Sequence, residues 1–270
     1  MDLDFTEEQD LLRETVRGVC ARHCGLDVVR QLEDDAVGYD EKFWSQLNEL
    51  GVLDAELSML DRTIVFQELG RALAPSPAFA SAVVSAGALA RAGATGSPGD
   101  EIIVPAWLEP ERGFGPKGVT ARIDDGRVFG VKRHVPFASS ADRLLVLTRD
   151  SLALVDVHDP GVTLTQQKTI SSDTQYRVDL DGAAGELVAT DYWPIWHDTM
   201  LDAVILAAAQ AVGGARYALD ITVMAQQVFG GVGFTVEYDI QLYFRRAKQL
   251  QLSWWDDRYL EELIAAEVLD

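Results

Sequence analysis

The sequence Gln-Val-Phe-Gly-Gly-Val-Gly-Phe-Thr-Val-Glu-Tyr, residues 227–238, has glycine at three of four consecutive positions. Glycine admits backbone conformations that side chains exclude, so such a turn lets backbone N–H groups approach a pyrophosphate. An apolar, alanine-rich stretch with helical spacing precedes it from Met200 to Val223, and two helical patterns, Tyr238 to Lys248 and Asp257 to Val268, follow it. The sequence therefore predicts a helical C-terminal region built around a glycine turn. Gly-Gly-x-Gly alone is a weak functional signal.

Upstream of the long helix the pattern becomes strand-like. Short apolar runs rich in β-branched residues begin at Glu101, and the last of them is Tyr176 to Leu180. Asp-Asp-Gly at 124–126 lies between two alternating stretches, which indicates a hairpin. Short strands at this spacing predict a β-sandwich or barrel.

The first part of the chain is again helical in pattern. Thr6 and Gln9 have the spacing of a capping box, and Phe5 stands where a hydrophobic staple would begin. Amphipathic helices are predicted over 41–50, with Leu50 in its buried stripe, and over 60–73 and 81–91. A Gly/Ser/Pro-rich linker follows at 93–99. The order is helix, strand, helix, and we place the domains at 1–98, 99–192 and 193–270.

Charge and composition exclude several classes of function. Lys plus Arg is 23 and Asp plus Glu is 43 among 270 residues, a net charge of −20 that argues against nucleic acid as a partner. The acidic N-terminus lacks a leader pattern, and the most apolar window, Ala203 to Ala215, is too short to span a bilayer. We therefore expect a cytoplasmic protein with no membrane partner. Two cysteines rule out a disulfide scaffold, and we expect no metal site.

Taken together, these segments resemble the acyl-CoA dehydrogenase family. Residues 227–238 match the family's Q-x-x-G-G-x-G-(F/Y)-x-x-E-(Y/H), and Arg245 to Lys248 matches the R-x-A-K that follows it. Leu3 to Gln9 resembles the family's opening helix, and Glu68 to Pro75 resembles the end of its N-terminal domain. Leu108-Glu109-Pro110 is similar to the T-E-P loop beside the flavin, and Gly130 to Pro136 is similar to the strand beside it.

The resemblance implies an α+β multidomain fold: an N-terminal helical domain, a central β-sandwich or barrel domain and a C-terminal helical bundle. It implies an FAD-dependent enzyme in which a base removes the α-proton of an acyl-CoA while a hydride leaves the β-carbon for the flavin. The tail at 256–262 resembles bacterial members that act on bulky or steroid-derived thioesters. An electron-transfer acceptor and a homo- or hetero-oligomer with a related dehydrogenase subunit are also implied.

The same resemblance names site residues. Those expected to flank the flavin ring are Leu108, Glu109, Pro110, Val135, Pro136, Ser139 and Ser140, and those expected to contact the dinucleotide are Gln227, Gly230, Gly231 and Gly233. Many members carry the base as Glu after R-x-A-K, roughly where Trp254 stands here. Another branch carries it on the long helix, where Asp202 stands, so Asp202 is the candidate base. The alternative is that Asp202 simply favours a helix N-terminus electrostatically.

The sequence departs from the family between the long helix and the glycine turn. Asp220 to Val223 runs almost directly into Met224 to Gln227, so most of two helices and an R-x-x-F-G segment are absent. A reduced subunit that relies on a partner, segments that the sequence omits, and a deletion all stay open as explanations. A non-catalytic partner subunit is therefore the second hypothesis. A single chain would expose the apolar faces that those helices cover, so we expect an oligomer.

Several other residues have two interpretations. Trp193, Trp196, Trp254 and Trp255 would line an acyl pocket or pack in the core, and Arg245, Arg246 and Lys248 would offset phosphate charge or favour a helix C-terminus. His197-Asp198 is interpreted as a surface feature rather than a dyad. Lys132 and Arg133 are expected to be solvated strand residues, with contact to FAD or CoA as the alternative.

Overall fold

The computed structural model describes residues 4–54, 56–94, 101–111, 113–170, 173–229 and 239–269. Its N-terminal part holds helices α1 (Glu7–His23), α2 (Leu26–Gln31), α3 (Glu41–Glu49) and α4 (Met59–Arg71). A π-helical segment, Phe79–Ser85, then continues into α5 (Ala86–Arg91). The sequence did not indicate α2, which has only six residues.

The start of α1 confirms the capping box. The Thr6 hydroxyl accepts the Gln9 N–H at 3.2 Å, and the Gln9 side chain accepts the Thr6 N–H at 3.1 Å. The staple is absent at this end of the described chain, because the fourth helical residue is Asp10, which offers Phe5 no apolar partner. Phe5 instead lies under the Arg13 guanidinium, 4.2 Å from ring centroid to Cζ.

Helix α3 buries Phe43, Trp44 and Leu47 as predicted. Leu50 is 43% exposed, which corrects the predicted stripe: α3 ends at Glu49, so Leu50 leaves the helical spacing that would bury it.

The middle of the chain forms strands β1 (Ile103–Ala106), β2 (Arg122–Asp124), β3 (Arg127–Pro136), β4 (Arg143–Leu147), β5 (Leu152–Asp156), β6 (Val162–Gln167) and β7 (Gln175–Ala189). The sheet order is β1-β4-β5-β7-β3-β2, and β6 also pairs with β7. The β1–β4 pair is parallel and the other pairs are antiparallel. The predicted hairpin joins β2 to β3, with positive φ at Asp125 and Gly126.

Strand β7 is longer than predicted. The sequence indicated a short strand at Tyr176 to Leu180, because Asp-Gly-Ala-Ala-Gly at 181–185 has the composition of a turn. In the structure β7 continues through this stretch for 15 residues. Gly182 takes a φ of +74°, and Gly185 packs where a Cβ would lie 2.5 Å from Val128. The small residues therefore fit one strand that pairs first with β3 and β6 and then with β5.

The C-terminal part consists of α6 (Trp193–Phe229), α7 (Ile240–Ser253) and α8 (Asp257–Leu269). Helix α6 runs unbroken through residues 220–227, where the sequence departs from the pattern that it resembles. Helix α6 crosses α4 closely at two glycines. A Cβ atom on Gly70 would lie 1.9 Å from the Gln210 carbonyl oxygen, and a Cβ atom on Gly213 would lie 1.9 Å from the Gln67 carbonyl oxygen. The close crossing therefore depends on glycine at both positions.

The predicted arrangement of N-terminal helices, central sheet and C-terminal helices is confirmed. One buried apolar cluster includes Val16, Leu145 and Leu206, so the helical parts and the sheet share a core. The boundaries at 98 and 192 stay predictions. Within the described ranges no helix is both long and apolar enough to cross a membrane.

Candidate functional site

A cavity of about 350 Å³ lies where the sheet meets the C-terminal end of α7. The loop after β1 contributes Trp107 and Leu108, and the end of β3 contributes His134 and Pro136. The segment after β6 contributes 168–170, β7 contributes Gln175, and α7 and its C-cap contribute Gln249 and 252–254. The volume is near the lower end of the ~300–1,000 Å³ typical of small-molecule pockets.

Aromatic rings form one wall of the cavity. The indoles of Trp107 and Trp254 are within 10° of parallel, with centroids 6.5 Å apart. Phe79 supports Trp254 at 4.9 Å, and Trp196 supports Trp107 at 5.5 Å. Trp254, which stands roughly where the resemblance places a glutamate base, is thus part of this wall.

Polar groups also line the cavity. His134 is on an irregularity of β3, where the register with β7 shifts between Lys132 and Val135, and its φ is +52°. Its Nδ1 lies 3.1 Å from Gln175 Oε1. Burial lowers the pKa of His134, the positive charge of Arg133 adds to that effect, and the bond to Gln175 opposes it. The surroundings therefore favour the neutral imidazole.

An ion pair beneath the cavity supports the loop that carries Trp107. The Lys132 side chain is fully buried, with Nζ 2.8 Å from Glu109 Oε1 and 3.4 Å from the Trp107 carbonyl oxygen. Glu109 also accepts the backbone N–H groups of Thr120 and Ala121. The prediction of a solvated Lys132 is therefore wrong: its partner, Glu109, lies 23 positions away in the sequence, on the loop after β1.

The pKa values of both groups in this pair are lowered, which favours the charged form of Glu109 and the neutral form of Lys132. Burial raises the pKa of Glu109, but the Lys132 charge and the hydrogen bonds to it outweigh burial and hold that pKa below its usual value. Burial lowers the pKa of Lys132 to about 8, against the opposing effect of Glu109.

The structure brings two of the seven predicted flavin-side residues to the cavity, Leu108 and Pro136. Glu109 is held in the ion pair, Pro110 is exposed, and Val135 is in the core. The hydroxyls of Ser139 and Ser140 donate to the carbonyls of Ala36 and Val37, which joins the sheet to the N-terminal helices.

Asp202 lies away from the cavity lining. Its Oδ2 accepts from the Arg91 guanidinium at 2.6 Å, and the carboxylate side chain is 33% exposed. Arg62 lies near this pair; burial lowers its pKa, and the charge of Asp202 opposes the effect. The role of Asp202 as the base stays a prediction.

The predicted dinucleotide contacts cannot be placed. Gly230, Gly231 and Gly233 lie outside the described residues, as does the Gln227 side chain. The cations of the R-x-A-K match are placed: Arg245 pairs with Glu33, and Arg246 pairs with Asp173. These two guanidiniums therefore join α7 to other parts of the fold. Lys248 donates to Gln251 at 2.9 Å on the exposed side of α7.

Two of the four tryptophans with two interpretations, Trp196 and Trp255, are buried outside the cavity lining, whereas Trp254 belongs to it. His197 lies 3.4 Å from Asp198, whose side chain is exposed. The thiols of Cys20 and Cys24 are buried. The pKa of Cys24 is raised, mainly by its hydrogen bond with Cys20 and, to a smaller extent, by burial. Across the part of the chain that the structure covers, no cluster of His, Cys, Asp and Glu could hold a metal ion.

Sequence reasoning missed Trp107, Gln175 and Gln249 as cavity residues. His134 lay inside the recognised stretch Gly130 to Pro136 but was not singled out. Its left-handed backbone turns it into the cavity lining, and alternation along a strand gives no signal of that.

Comparisons with known proteins agree with this architecture. Residues 6–96 match the family described as acyl-CoA dehydrogenase, N-terminal domain. The acyl-CoA dehydrogenase IpdE2 of Mycobacterium tuberculosis is 30% identical over 229 residues, which is 80% of this chain and 63% of that protein. The chain spans 55–64% of the length of the curated relatives it matches.

Solved structures extend the likeness to the whole fold. In the ChsE4-ChsE5 complex from Mycobacterium tuberculosis, a chain 22% identical matches with a TM-score of 0.83 over 100% of this chain and 99% of that one. A chain of the Tcur3481-Tcur3483 steroid ACAD, in a G363A variant, is also 22% identical, with a TM-score of 0.81 over 98% and 99%. At these identities the likeness concerns the fold.

Proposed function

This chain belongs to the acyl-CoA dehydrogenase family, and we propose that it is one subunit of an FAD-dependent dehydrogenase that introduces an α,β double bond into a bulky acyl-CoA. The cavity beside Trp107 carries the proposal. It has flat apolar walls and a few polar groups, and no carboxylate belongs to its lining as far as the structure describes it. It therefore suits a ring system but lacks an acidic residue to serve as a base.

The residues present fit a flavin ring. Trp107, Trp254, Leu108 and Pro136 offer flat or apolar surface, and the buried Gln249 Oε1 has no hydrogen-bond partner among the described residues. These residues would hold the ring, and Gly230, Gly231 and Gly233 stay predicted contacts of the dinucleotide. Bound FAD would supply the acceptor for the hydride that leaves the acyl β-carbon.

The α-proton needs an acceptor within hydrogen-bond reach, because thioester α-protons are weakly acidic. Asp202 is the carboxylate that the resemblance suggests, but it is paired with Arg91 away from the cavity lining. We therefore favour a base contributed by a related partner subunit. The two-chain ChsE4-ChsE5 complex supports this view.

An exposed apolar stripe on α6 supports a multi-subunit protein. Leu201, Ile205, Val212 and Leu219 are 43–64% exposed, and the exposed Ala208 and Ala215 continue their spacing of four and three. This is the spacing of a helix-pairing seam. Because residues 220–223 run almost directly into residues 224–227, we propose that a helix of another chain covers this stripe.

The acyl group is proposed to be steroid-derived or similarly bulky. The aromatic wall of the cavity suits a large apolar group, and the steroid ACAD is one of the structural neighbours. An electron-transfer acceptor would reoxidise the flavin.

The visible absorption spectrum of the purified chain tests the proposal. We expect little flavin in the chain alone, and flavin together with bleaching by acyl-CoA after co-expression with a full-length dehydrogenase subunit from the same genome. One FAD per chain in the isolated protein would make it self-sufficient. No flavin in either preparation would refute the proposal.

Asp202→Asn decides where the base lies. In the active preparation we expect a bleaching rate within about twofold of wild type, because Asp202 pairs with Arg91 outside the cavity lining, whereas loss of a general base removes about 10²–10⁴-fold. A loss of that size would identify Asp202 as the base. Asp198→Asn, an exposed carboxylate one turn earlier on α6, is the control.

A further inference from the structure

The Gln249 side chain presents an unexplained polar atom. Its Oε1 is fully buried, and no described residue donates to it. A buried acceptor without a donor costs about 1–3 kcal/mol. Gln249 forms part of the cavity wall and also borders a smaller cavity of about 50 Å³, which shares Pro136 and Trp254 with the first. A water molecule or a ligand in these cavities would supply the donor, and the experiments below distinguish the two.

His134 and Gln175 provide matching groups in the same cavity. Since Gln175 Oε1 accepts from Nδ1 of the neutral imidazole at 3.1 Å, Nε2 of His134 keeps its lone pair. The Gln175 amide keeps its two N–H donors for other partners, and the Gln175 residue is only 6% exposed. The cavity lining thus offers N–H donors from the Gln175 carboxamide, an acceptor at His134 Nε2 and a second acceptor at Gln249 Oε1.

Resting on the proposed function, we propose that Gln249, with Gln175 and His134, forms the hydrogen-bonding edge that recognises the imide edge of the flavin ring, with Gln249 accepting the ring N3–H. The imide edge of a flavin alternates carbonyl, N–H and carbonyl. A primary carboxamide offers both a donor and an acceptor, so it complements an imide. A thioester or steroid carbonyl offers no donor and would leave Gln249 Oε1 unpaired.

The test uses lumiflavin, which is the ring without its chain, and 3-methyllumiflavin, in which the N3–H is replaced. Binding is followed by flavin fluorescence. We expect the wild type to bind lumiflavin about tenfold more tightly than the methylated ring, a difference typical of one buried hydrogen bond. Gln249→Leu should bind both rings with the same, weaker affinity.

The unfolding temperature of the flavin-free protein distinguishes a ligand-binding role of Gln249 from a structural one. Gln249→Leu removes an unpaired buried acceptor, so the flavin-free variant should unfold at a temperature equal to or above that of wild type while it binds flavin more weakly. Gln251→Leu is the matched control, because Gln251 is exposed on the same helix and outside the cavity lining. It should bind both rings as wild type does.

Coenzyme A serves as the second probe, since its amide N–H groups are the other plausible donors. The affinity of Gln249→Leu for coenzyme A should equal that of wild type. A loss for coenzyme A with unchanged lumiflavin binding would overturn the proposal, as would a wild type that binds both rings equally. Those results leave the proposed function standing if the wild type takes up FAD, whereas a wild type without flavin in any preparation would refute both.

Discussion

Lys132 is a charged residue with no exposed surface. A buried ammonium is tolerated only where acceptors replace water, and here Glu109 and the Trp107 carbonyl do so. Because Trp107 forms the aromatic wall, the pair fixes the position of that wall relative to the sheet. Lys132 is therefore a positioning residue for the cavity rather than a contact of the ligand.

Replacing Lys132 with Met should lower the free energy of unfolding by about 3–5 kcal/mol, because Glu109 is left as an uncompensated buried charge. Urea unfolding measures the effect. The double variant Lys132→Met with Glu109→Gln should recover a substantial part of the loss, since the carboxamide that replaces the Glu109 carboxylate is neutral and can still accept the Thr120 N–H. Losses that simply add in the double variant would contradict the pairing.

The same pair gives a pH dependence with a defined sign. The pKa of Glu109 is held below its unfolded value of 4.5, so the native state favours the ionised form and its stabilisation is full above pH 4.5. As the pH falls through the folded pKa, this contribution is lost. The stability difference between wild type and Glu109→Gln should therefore shrink below pH 4.5, and a constant difference would contradict the assignment.

The sequence identified the segments that lie near the cavity, but for several of their residues it did not predict which group the side chain contacts. The resemblance pointed to Leu108 and Pro136, which do line the cavity, and to Glu109, which is turned to Lys132 instead. The pairing depends on strand β3 and the loop after β1, which meet only in the folded protein. Ser139 and Ser140 show the same limit, because their acceptors lie about 103 positions earlier in the chain.

Helix α6 has two unlike faces. Trp196, Met200 and Leu206 are fully buried on one side, whereas Leu201 and Ile205 are exposed on the other. An isolated surface helix usually carries polar residues on its outer face. The outer stripe of α6 therefore supports the proposed contact with another chain.

Ile205→Lys should separate folding from association. The side chain is 50% exposed, so the fold should change in stability by no more than about 0.5 kcal/mol. A buried lysine in a helix seam would weaken assembly, which sedimentation of the variant alone and with its partner would detect. Leu11→Lys is the control, because Leu11 is 65% exposed on α1 and distant in sequence from the stripe. Equal effects of the two variants on assembly would exclude the stripe as an interface.

At the element scale, periodicity predicted most helices and strands, and its errors have local causes. The short helix α2 has too few residues to show a period. The end of β7 looked like a turn because Gly182 and Gly185 serve a close approach to β3 rather than a reversal of the chain. The unbroken course of α6 follows from the direct join of its apolar pattern to residues 224–227.

The charge of the whole molecule acts on both ligand and partner. At −20, the chain repels an anionic CoA thioester or dinucleotide at long range. The cavity lining offsets this repulsion only slightly, since Lys168 is the one charged residue among its described members and the lowered pKa of His134 favours the neutral form. Binding of such anions must therefore depend on short-range contacts, with little help from steering.

Ionic strength separates the two kinds of oligomer. Two copies of a −20 chain repel each other, and the Debye length falls from about 30 Å at 0.01 M salt to about 8 Å at 0.15 M. The proposed contact through α6 is apolar, and salt does not weaken a contact of that kind. Self-association should therefore increase from about 0.01 to 0.15 M salt, which sedimentation velocity measures, whereas a complex with a less acidic subunit should already form at the lower concentration. Self-association that weakens as salt is added would mean that opposite charges hold the copies together, and the apolar stripe would then not be the main interface.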